Sequence, residues 1–408
     1  MTVAFKTFGC RLNRAEDLDQ EARYRAAGHD VVPLEGTDPR SDQAAPDVII
    51  VRGCSVTAKA QRDCEKEIAR LRARFPLARI QTAGCLPQAG TVPPEDMPET
   101  ETPPVPTATS RAYLKVQDGC SGKCAFCIVP QFRGHPVSTP FADVLARARA
   151  FLDAGYRELV VTGCNLALYR SEGRGLADLL SALAGLQAGS PHRVRLGSLE
   201  PGICDDAVLD AFERHPNICR FIHLSLQSGS DAVLRRMNRP YAAATVARFC
   251  DEALRRLGPR LSLGADVIAG FPGETEADHA LTRAFLSGNF APRPPSTFNI
   301  QPSTFTNLHV FPYSERPGTP AATMDGALPR AVRLARAREL EALGRTQREA
   351  FARTFLGRTV EVCVERDGLH GWTAEYLPCK LKGPAERRSL ISVVVDRVEG
   401  DTLVSSAR

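Results

Sequence analysis

No run of apolar residues in the 408-residue chain approaches the ~20 that a helix needs to cross a bilayer. The opening Met1-Thr-Val-Ala-Phe-Lys-Thr-Phe-Gly-Cys10 has no charged leader followed by an apolar stretch, so it reads as a first strand rather than a secretory signal. A cytoplasmic protein with no membrane partner is expected. Charge of one sign is not in great excess either. A net charge of +5 and a pI near 8.6 are compatible with an anionic partner but do not demand one. Disulfides are not expected in a reducing compartment, so the thirteen cysteines need another account. Clustered ones point to metal or catalysis, scattered ones to small buried side chains.

Residues 1–90 alternate short apolar strands with helical patterns and predict an open, largely parallel α/β domain. Strands are expected at Val3–Thr7, Asp47–Arg52 and Ala78–Ala83, and helices at Arg14–Ala27 and Ala58–Phe75. Cys10, Cys54 and Cys85 each fall just beyond a strand, where open α/β sheets place their binding crevice. Residues 87–109 are rich in Pro, Thr and acids, and 91–110 are assigned as a linker.

From 111 to about 307, within a domain assigned as 111–354, six strand–helix units follow in series, which predicts a partial or full parallel barrel with its chemistry at the strand C-terminal ends. A duplicated Pro-Ser-Thr-Phe at 295–298 and 302–305 marks a loop insertion within Gly288–Thr306. Arg330–Thr354 reads as a long helix with arginines at 330, 333, 336, 338, 345, 348 and 353. These form either a solvated face or a phosphate-contacting stripe. Residues 355–408 switch to short alternating strands, expected at Val360–Glu365, Trp372–Tyr376, Ser389–Val395 and Thr402–Ser405, and predict a small all-β barrel.

Gly119-Cys120-Ser-Gly-Lys-Cys124-Ala-Phe-Cys127 carries CxxxCxxC directly after a strand. Three thiolates in eight residues can wrap one corner of an iron–sulfur cubane and leave its fourth iron open. An open iron can bind the amino and carboxylate groups of S-adenosylmethionine, and an electron can then release a 5′-deoxyadenosyl radical. The competing reading is a zinc knuckle. A closed zinc site wants four ligands, and no nearby His or Cys completes the set. Further candidates for the cofactor stand where a barrel places working residues: Phe126 within the motif, Thr162 and Asn165 after the second strand, Glu200 after the third, Ser225 and Gln227 at the fourth, and Asp266 in the fifth, before Gly270-Phe-Pro-Gly-Glu274. Taken singly, each is better explained by turn chemistry or core hydrogen bonding, and it is their joint placement at strand ends that favours a shared site.

These motifs resemble the radical-SAM methylthiotransferases over nearly the whole chain. The first region matches through Thr7-Phe-Gly-Cys-Arg-Leu-Asn13 with Glu16, Gly53-Cys-Ser-Val-Thr57 and Gly84-Cys-Leu-Pro-Gln88. The central region matches from Arg111 to Cys120, through Ile128-Val-Pro130 and at Arg133-Gly134. The last domain is similar to TRAM, a nucleic-acid-binding barrel. The resemblance implies two [4Fe–4S] clusters, one on Cys120, Cys124 and Cys127 and an auxiliary one on Cys10, Cys54 and Cys85. It implies S-adenosylmethionine as both radical source and methyl donor, tRNA as substrate, a flavodoxin- or ferredoxin-type electron donor and a sulfur source. GCRLN, KVQDGC and His309-Val-Phe-Pro-Tyr-Ser-Glu-Arg-Pro-Gly-Thr-Pro-Ala321 look like the branch acting on N6-threonylcarbamoyladenosine (t6A), which implies insertion of a methylthio group at C2 of that base beside the anticodon.

Alternatives remain open at this level. They are the branch acting on isopentenyladenosine, the branch acting on a ribosomal protein, and an RNA-binding protein with structural or redox-sensing clusters. Three departures from the family stand out. Arg52-Gly53 replaces Asn-Thr before the second cysteine, the segment after Cys85 is short, and the 295–305 insertion is foreign to the pattern. Of the remaining cysteines, at 64, 164, 204, 219, 250, 363 and 379, Cys164 stands near the expected cofactor, though a small residue filling a turn is the favoured reading. Trp372 and Tyr376 could stack on a base or pack the small barrel. Removing residues 356–408 is expected to weaken tRNA binding with little loss of cofactor cleavage.

Overall fold

The computed structural model describes residues 1–34, 45–86, 109–187, 189–201, 206–288 and 305–405. The first domain is built from β1 (Thr2–Thr7), α1 (Arg11–Ala26), β2 (Asp30–Val32), β3 (Val48–Gly53), α2 (Ala58–Arg74) and β4 (Arg79–Gly84). The four strands are all parallel, in the order β2-β1-β3-β4. The continuous apolar run Val48–Val51 is buried throughout, as a central strand covered on both faces requires. Thr57 starts α2 by accepting from the Ala60 amide at 3.1 Å. Strand β2, too short to announce itself in the pattern, was not expected.

The second domain follows as β5 (Ala112–Asp118), α3 (Val129–Arg133), β6 (Val137–Ser138), α4 (Phe141–Asp153), β7 (Glu158–Gly163), α5 (Leu176–Ala184), β8 (Arg193–Leu196), β9 (Ser198–Leu199), α6 (Asp206–Arg214), β10 (Phe221–Gln227), α7 (Asp231–Arg236), α8 (Ala243–Leu257), β11 (Ser262–Ala269), α9 (Glu276–Leu286) and β12 (Phe305–Pro312). Two four-stranded sheets, β6-β5-β7-β8 and β9-β10-β11-β12, are joined where β8 and β9 are separated only by Gly197. A Cβ at Gly197 would stand 2.7 Å from the Val161 carbonyl, so the break is glycine-specific. Apart from the antiparallel edge strand β6, the result is a parallel partial barrel of seven strands, β8 and β9 forming one interrupted strand. Strand periodicity sorts its side chains. Leu114, Val161, Leu196, Leu224 and Val267 join the helices in one core, while their neighbours Lys115, Thr162, Arg195, Ser225 and Asp266 face the concave side.

Helix α10 (Arg330–Arg353) leads to a closed barrel, β13-β14-β15-β17-β16, made of β13 (Thr359–Val364), β14 (His370–Thr373), β15 (Pro378–Lys380), β16 (Leu390–Glu399) and β17 (Thr402–Ser405). The small barrel sits against the strand N-terminal ends of the partial barrel. Arg193 donates to the Glu361 and Trp372 carbonyls at 3.1 and 2.6 Å, and Arg195 to those of Thr373 and Ala374 at 2.7 and 3.2 Å.

Several sequence expectations are corrected here. The strand expected over Trp372–Tyr376 ends at Thr373. Tyr376 lies in the turn beyond it, with φ +65°, and stacks on Trp372 and Phe221 with ring centroids 4.7 and 4.8 Å apart. Both aromatics are therefore packing groups at the domain junction, not free bases' partners. The α10 arginines fit neither reading as a set. Arg333 is buried and donates to the Leu328 and Tyr313 carbonyls, Arg336 pairs with Glu274, and Arg348 with Asp401, so three of them pin the helix to both barrels. The expected loop Gly288–Thr306 is cut short because Phe305 and Thr306 already belong to β12. The rest of the duplication, the linker stretch 87–108 and Cys204 lie outside the described residues.

Candidate active site

Strand β5 delivers Gln117 and Asp118 to its C-terminal end, and the chain turns at Gly119 (φ +68°). A Cβ there would lie 2.0 Å from the His135 carbonyl oxygen. The loop Cys120–Cys127 is clamped from two sides. The Cys120 amide donates to Gly134 O at 3.0 Å, the Ala125 amide to Met237 O at 2.9 Å, and Asn238 Nδ2 to Lys123 O at 2.7 Å. The three thiols crowd one space: a Cβ at Gly122 would stand 3.2 and 3.7 Å from the sulfurs of Cys120 and Cys124. Burial pushes the Cys127 thiol up to about 11, with the other two thiols adding to the shift. Burial also raises Cys124, against the pull of Arg239, whose Nη1 donates to its sulfur at 2.9 Å. A pocket that makes the Cys124 and Cys127 thiols reluctant to ionise fits a site whose charge is balanced by a bound cation or cluster.

The cofactor candidates divide. Asn165 belongs with this triad. Its backbone amide donates to Gln117 Oε1 at 2.7 Å, its Oδ1 accepts from the Ala167 amide at 3.2 Å, and its Nδ2 stands 3.8 Å from Cys120 Sγ. Glu200 and the Ser225 carbonyl are both held by Arg239, which links them to Cys124. Burial raises the Glu200 carboxyl against that pairing. Phe126 packs edge-on against Phe271 with centroids 6.4 Å apart, beside the same loop. Thr162 is buried in register with Lys115. Gln227 carries φ +66°, an uncommon left-handed backbone for a non-glycine, at the end of β10. Asp266 stands apart. Its Oδ1 meets His223 Nε2 at 3.0 Å and His309 Nδ1 at 3.2 Å. Burial would raise this carboxyl, but the two imidazoles outweigh it and hold it well below the usual range.

The second triad forms at the ends of β1, β3 and β4. Cys54 and Cys85 are buried and Cys10 is exposed. Burial, with Cys10 and Cys85 adding to it, pushes Cys54 up to about 11. Gly9 (φ +94°) is required, since a Cβ there would stand 2.6 Å from Cys54 Cβ and 3.1 Å from its sulfur. Asn13 ties the loops together by donating to the Phe8 and Gly53 carbonyls at 2.8 and 2.9 Å. Arg52, one of the departures from the family pattern, is buried. It turns back into the domain, paired with Asp17 at 2.5 Å and Glu16 at 2.9 Å, and donates to Gln20 at 2.9 Å. Cys64 lies fully buried behind Cys54, whose amide reaches its sulfur at 3.5 Å. Cys164 donates to Asp118 Oδ1 at 3.2 Å, a turn role.

Arg133, quoted from the sequence only as part of a motif, joins the two triads. Its Nε donates to Cys85 Sγ at 3.2 Å, Nη2 to Asn13 at 2.8 Å, and Nη1 to Glu16 at 2.7 Å and Asp118 at 3.2 Å. Lys115 bridges the same carboxylates, at 2.5 Å to each. Burial would raise Asp118, but the Lys115 hydrogen bond and the charges of Lys115 and Arg133 hold it at about 2. Arg133 and Arg239 are the functional residues that sequence reasoning left without a role. Arginines are common, and only the fold shows which two reach a thiol.

A parallel partial barrel that carries three crowded thiols on the loop after its first strand is the architecture of a radical SAM enzyme. Residues 114–286 match the Radical SAM superfamily, and residues 2–100 match the Uncharacterized protein family UPF0004. The chain is 31% identical to the tRNA-2-methylthio-N(6)-dimethylallyladenosine synthase of Sphingopyxis alaskensis, covering 90% of this chain and 87% of the relative. It is 31% identical to the Threonylcarbamoyladenosine tRNA methylthiotransferase MtaB of Chlamydia pneumoniae, covering 99% and 97%, and 29% identical to that of Thermotoga maritima, covering 92% and 89%. Among solved structures, the radical S-adenosylmethionine methyltransferase TsrM of Kitasatospora setae superposes with a TM-score of 0.51 at 14% identity, covering 79% of this chain and 77% of that one, a likeness of fold alone. The chain belongs to the methylthiotransferase family of radical SAM enzymes. The cofactors of that family are two [4Fe–4S] clusters and S-adenosylmethionine. Among the described residues no helix is long and apolar enough to cross a membrane.

Proposed function

We propose that this enzyme inserts a methylthio group at C2 of t6A beside the anticodon of tRNA. The observation that carries the choice of base is the character of the barrel interior. Below the thiol triads the concave side presents Arg195, His223, Asp266 and His309, and Arg11 at the start of α1 reaches the same Tyr376 ring as Arg195. An isopentenyl tail would need an apolar slot there, whereas a threonylcarbamoyl group brings a carboxylate, a hydroxyl and amide groups that such a lining can pair. Arg11 and His309 also lie on two of the segments that resemble this branch.

In this reading Cys120, Cys124 and Cys127 hold the radical cluster and Cys10, Cys54 and Cys85 the auxiliary one. The three thiols of each triad leave one metal position for an exogenous ligand. When bound, the first cluster supplies the electron that breaks the cofactor's sulfonium bond, and the second supplies the sulfur. The chain's own residues do the positioning. Arg239 holds Glu200 and the Ser225 carbonyl beside Cys124, and Asn165, with Phe126, Thr162 and Gln227, completes a rim for S-adenosylmethionine. Arg133 and Lys115 lock the two triads to each other, so the reacting base has a fixed gap to enter. A flavodoxin- or ferredoxin-type protein fits as electron donor, together with a separate sulfur source. The C-terminal barrel is the RNA-binding module, through a face other than Trp372 and Tyr376.

The test is nucleoside mass spectrometry of tRNA from a host lacking its own t6A methylthiotransferase and expressing this chain. Appearance of 2-methylthio-t6A is expected. Product only on isopentenyladenosine, or only on protein, would overturn the reading.

A further inference from the structure

A carboxylate entering an enclosed chamber needs a cation that is not already neutralised. Most candidates in this interior fail that condition. Arg193 and Arg195 share Glu158, at 2.6 and 2.7 Å. Arg111 pairs with Glu365 at 2.9 Å, and Lys115 is held between Glu16 and Asp118. Arg11 differs. Its guanidinium carbon lies 5.1 Å from the Tyr376 ring centroid, it also hydrogen-bonds that side chain, and no carboxylate pairs with it among the described residues. Tyr376 in turn stacks on Phe221, whose ring is 5.9 Å from His223, and His223 leads to His309 at 4.8 Å. One continuous surface thus runs from Arg11 to the Asp266 pair. Both imidazoles bond Asp266 Oδ1, which leaves Oδ2 to accept.

The substrate's geometry matches that run. In adenine, C2 and C6 flank N1, so the N6 substituent leaves the ring close to the reacting carbon and its far end reaches several bonds beyond it. With C2 held at the gap between the triads, the substituent extends inward, toward Tyr376. Arg11 follows Cys10 directly and stands on that path.

We propose that Arg11 is the specificity residue that receives the threonyl carboxylate, and that Asp266 with His309 takes the adjoining hydroxyl. This rests on t6A being the substrate base. The aromatic face of Tyr376 positions the guanidinium, and a planar fork suits a carboxylate.

The experiment measures binding of three anticodon stem-loops, bearing t6A, isopentenyladenosine or unmodified adenosine, to the reconstituted enzyme and to its Arg11→Gln and Arg11→Lys variants by fluorescence anisotropy. The wild type should prefer the t6A loop over the unmodified one by ~10- to 100-fold, the scale of a desolvated charge pair. Arg11→Gln should lose that preference and Arg11→Lys keep part of it. The readout is a ratio within one protein, so any misfolded or cluster-free fraction cancels. Retention of the full ratio in Arg11→Gln would overturn the role of Arg11. A wild-type preference for the isopentenyl loop would instead overturn the substrate assignment, whatever the variants do.

Discussion

Arg133 grips both oxygens of Glu16 across the junction of the first two domains, Nη1 to Oε1 at 2.7 Å and Nη2 to Oε2 at 3.1 Å. The same guanidinium touches Cys85 and Asp118, so one side chain holds a thiol-bearing loop of each triad in place.

Arg133→Met should therefore loosen the first domain. Removing one partner of a buried pair costs about 3–5 kcal/mol, and Glu16 keeps Lys115 and Arg52, which places the loss near the lower figure. Thermal unfolding and limited proteolysis of the whole chain read it. An unchanged midpoint with unchanged cleavage would rule out the lock.

Cys124→Ala should form no 5′-deoxyadenosine from S-adenosylmethionine, and its iron content should fall from about eight to about four per chain after anaerobic reconstitution. Normal turnover in this variant would refute the assignment of the central triad.

Cys54→Ala should still cleave the cofactor while inserting no sulfur, because it damages only the triad in the first domain. Methylthio product from this variant would remove the second cluster from the reaction.

Glu158→Gln should destabilise the enzyme by about 3–5 kcal/mol, since it strands Arg193 and Arg195 in the interior. Burial would raise the Glu158 carboxyl, but the two arginines hold it far below the usual range. A depressed carboxylate contributes stability that is complete above its unfolded value, near 4.5, and is lost as pH falls toward the folded one. The wild type should thus weaken with acid below pH 4.5 more steeply than the variant. Parallel acid limbs in urea titrations would show that Glu158 is not the group responsible.

Removal of residues 355–408 should do more than weaken tRNA binding. It uncovers Arg193, Arg195 and Phe221, which the Trp372–Tyr376 segment caps. Cofactor cleavage should fall together with the folded fraction in circular dichroism. A truncated chain with a full melting transition and normal cleavage would restore the simpler expectation of an independent module.

Much of the fold was legible because parallel strands announce themselves. DVIIVR and the alternation in HLSLQSGS carry the buried and half-buried patterns directly. The six thiols were legible too, since CxxxCxxC is local and Cys10, Cys54 and Cys85 each follow a strand. What escaped is what depends on distance in three dimensions. Nothing near Arg133 in the sequence signals Cys85, and nothing near Arg239 signals Cys124. Asp266 reads as a strand residue before GFPGE, yet it faces two histidines contributed by neighbouring strands. Tyr376 looked like the middle of a strand because aromatics favour strands, and only the turn geometry, with its positive φ, turns it toward the second domain.

The Trp372–Tyr376 segment closes the strand N-terminal ends of the partial barrel, although it belongs to a different domain. That wall of the concave side is borrowed, so a substitution that loosens the small barrel would also let water reach the place where a carbon-centred radical would form.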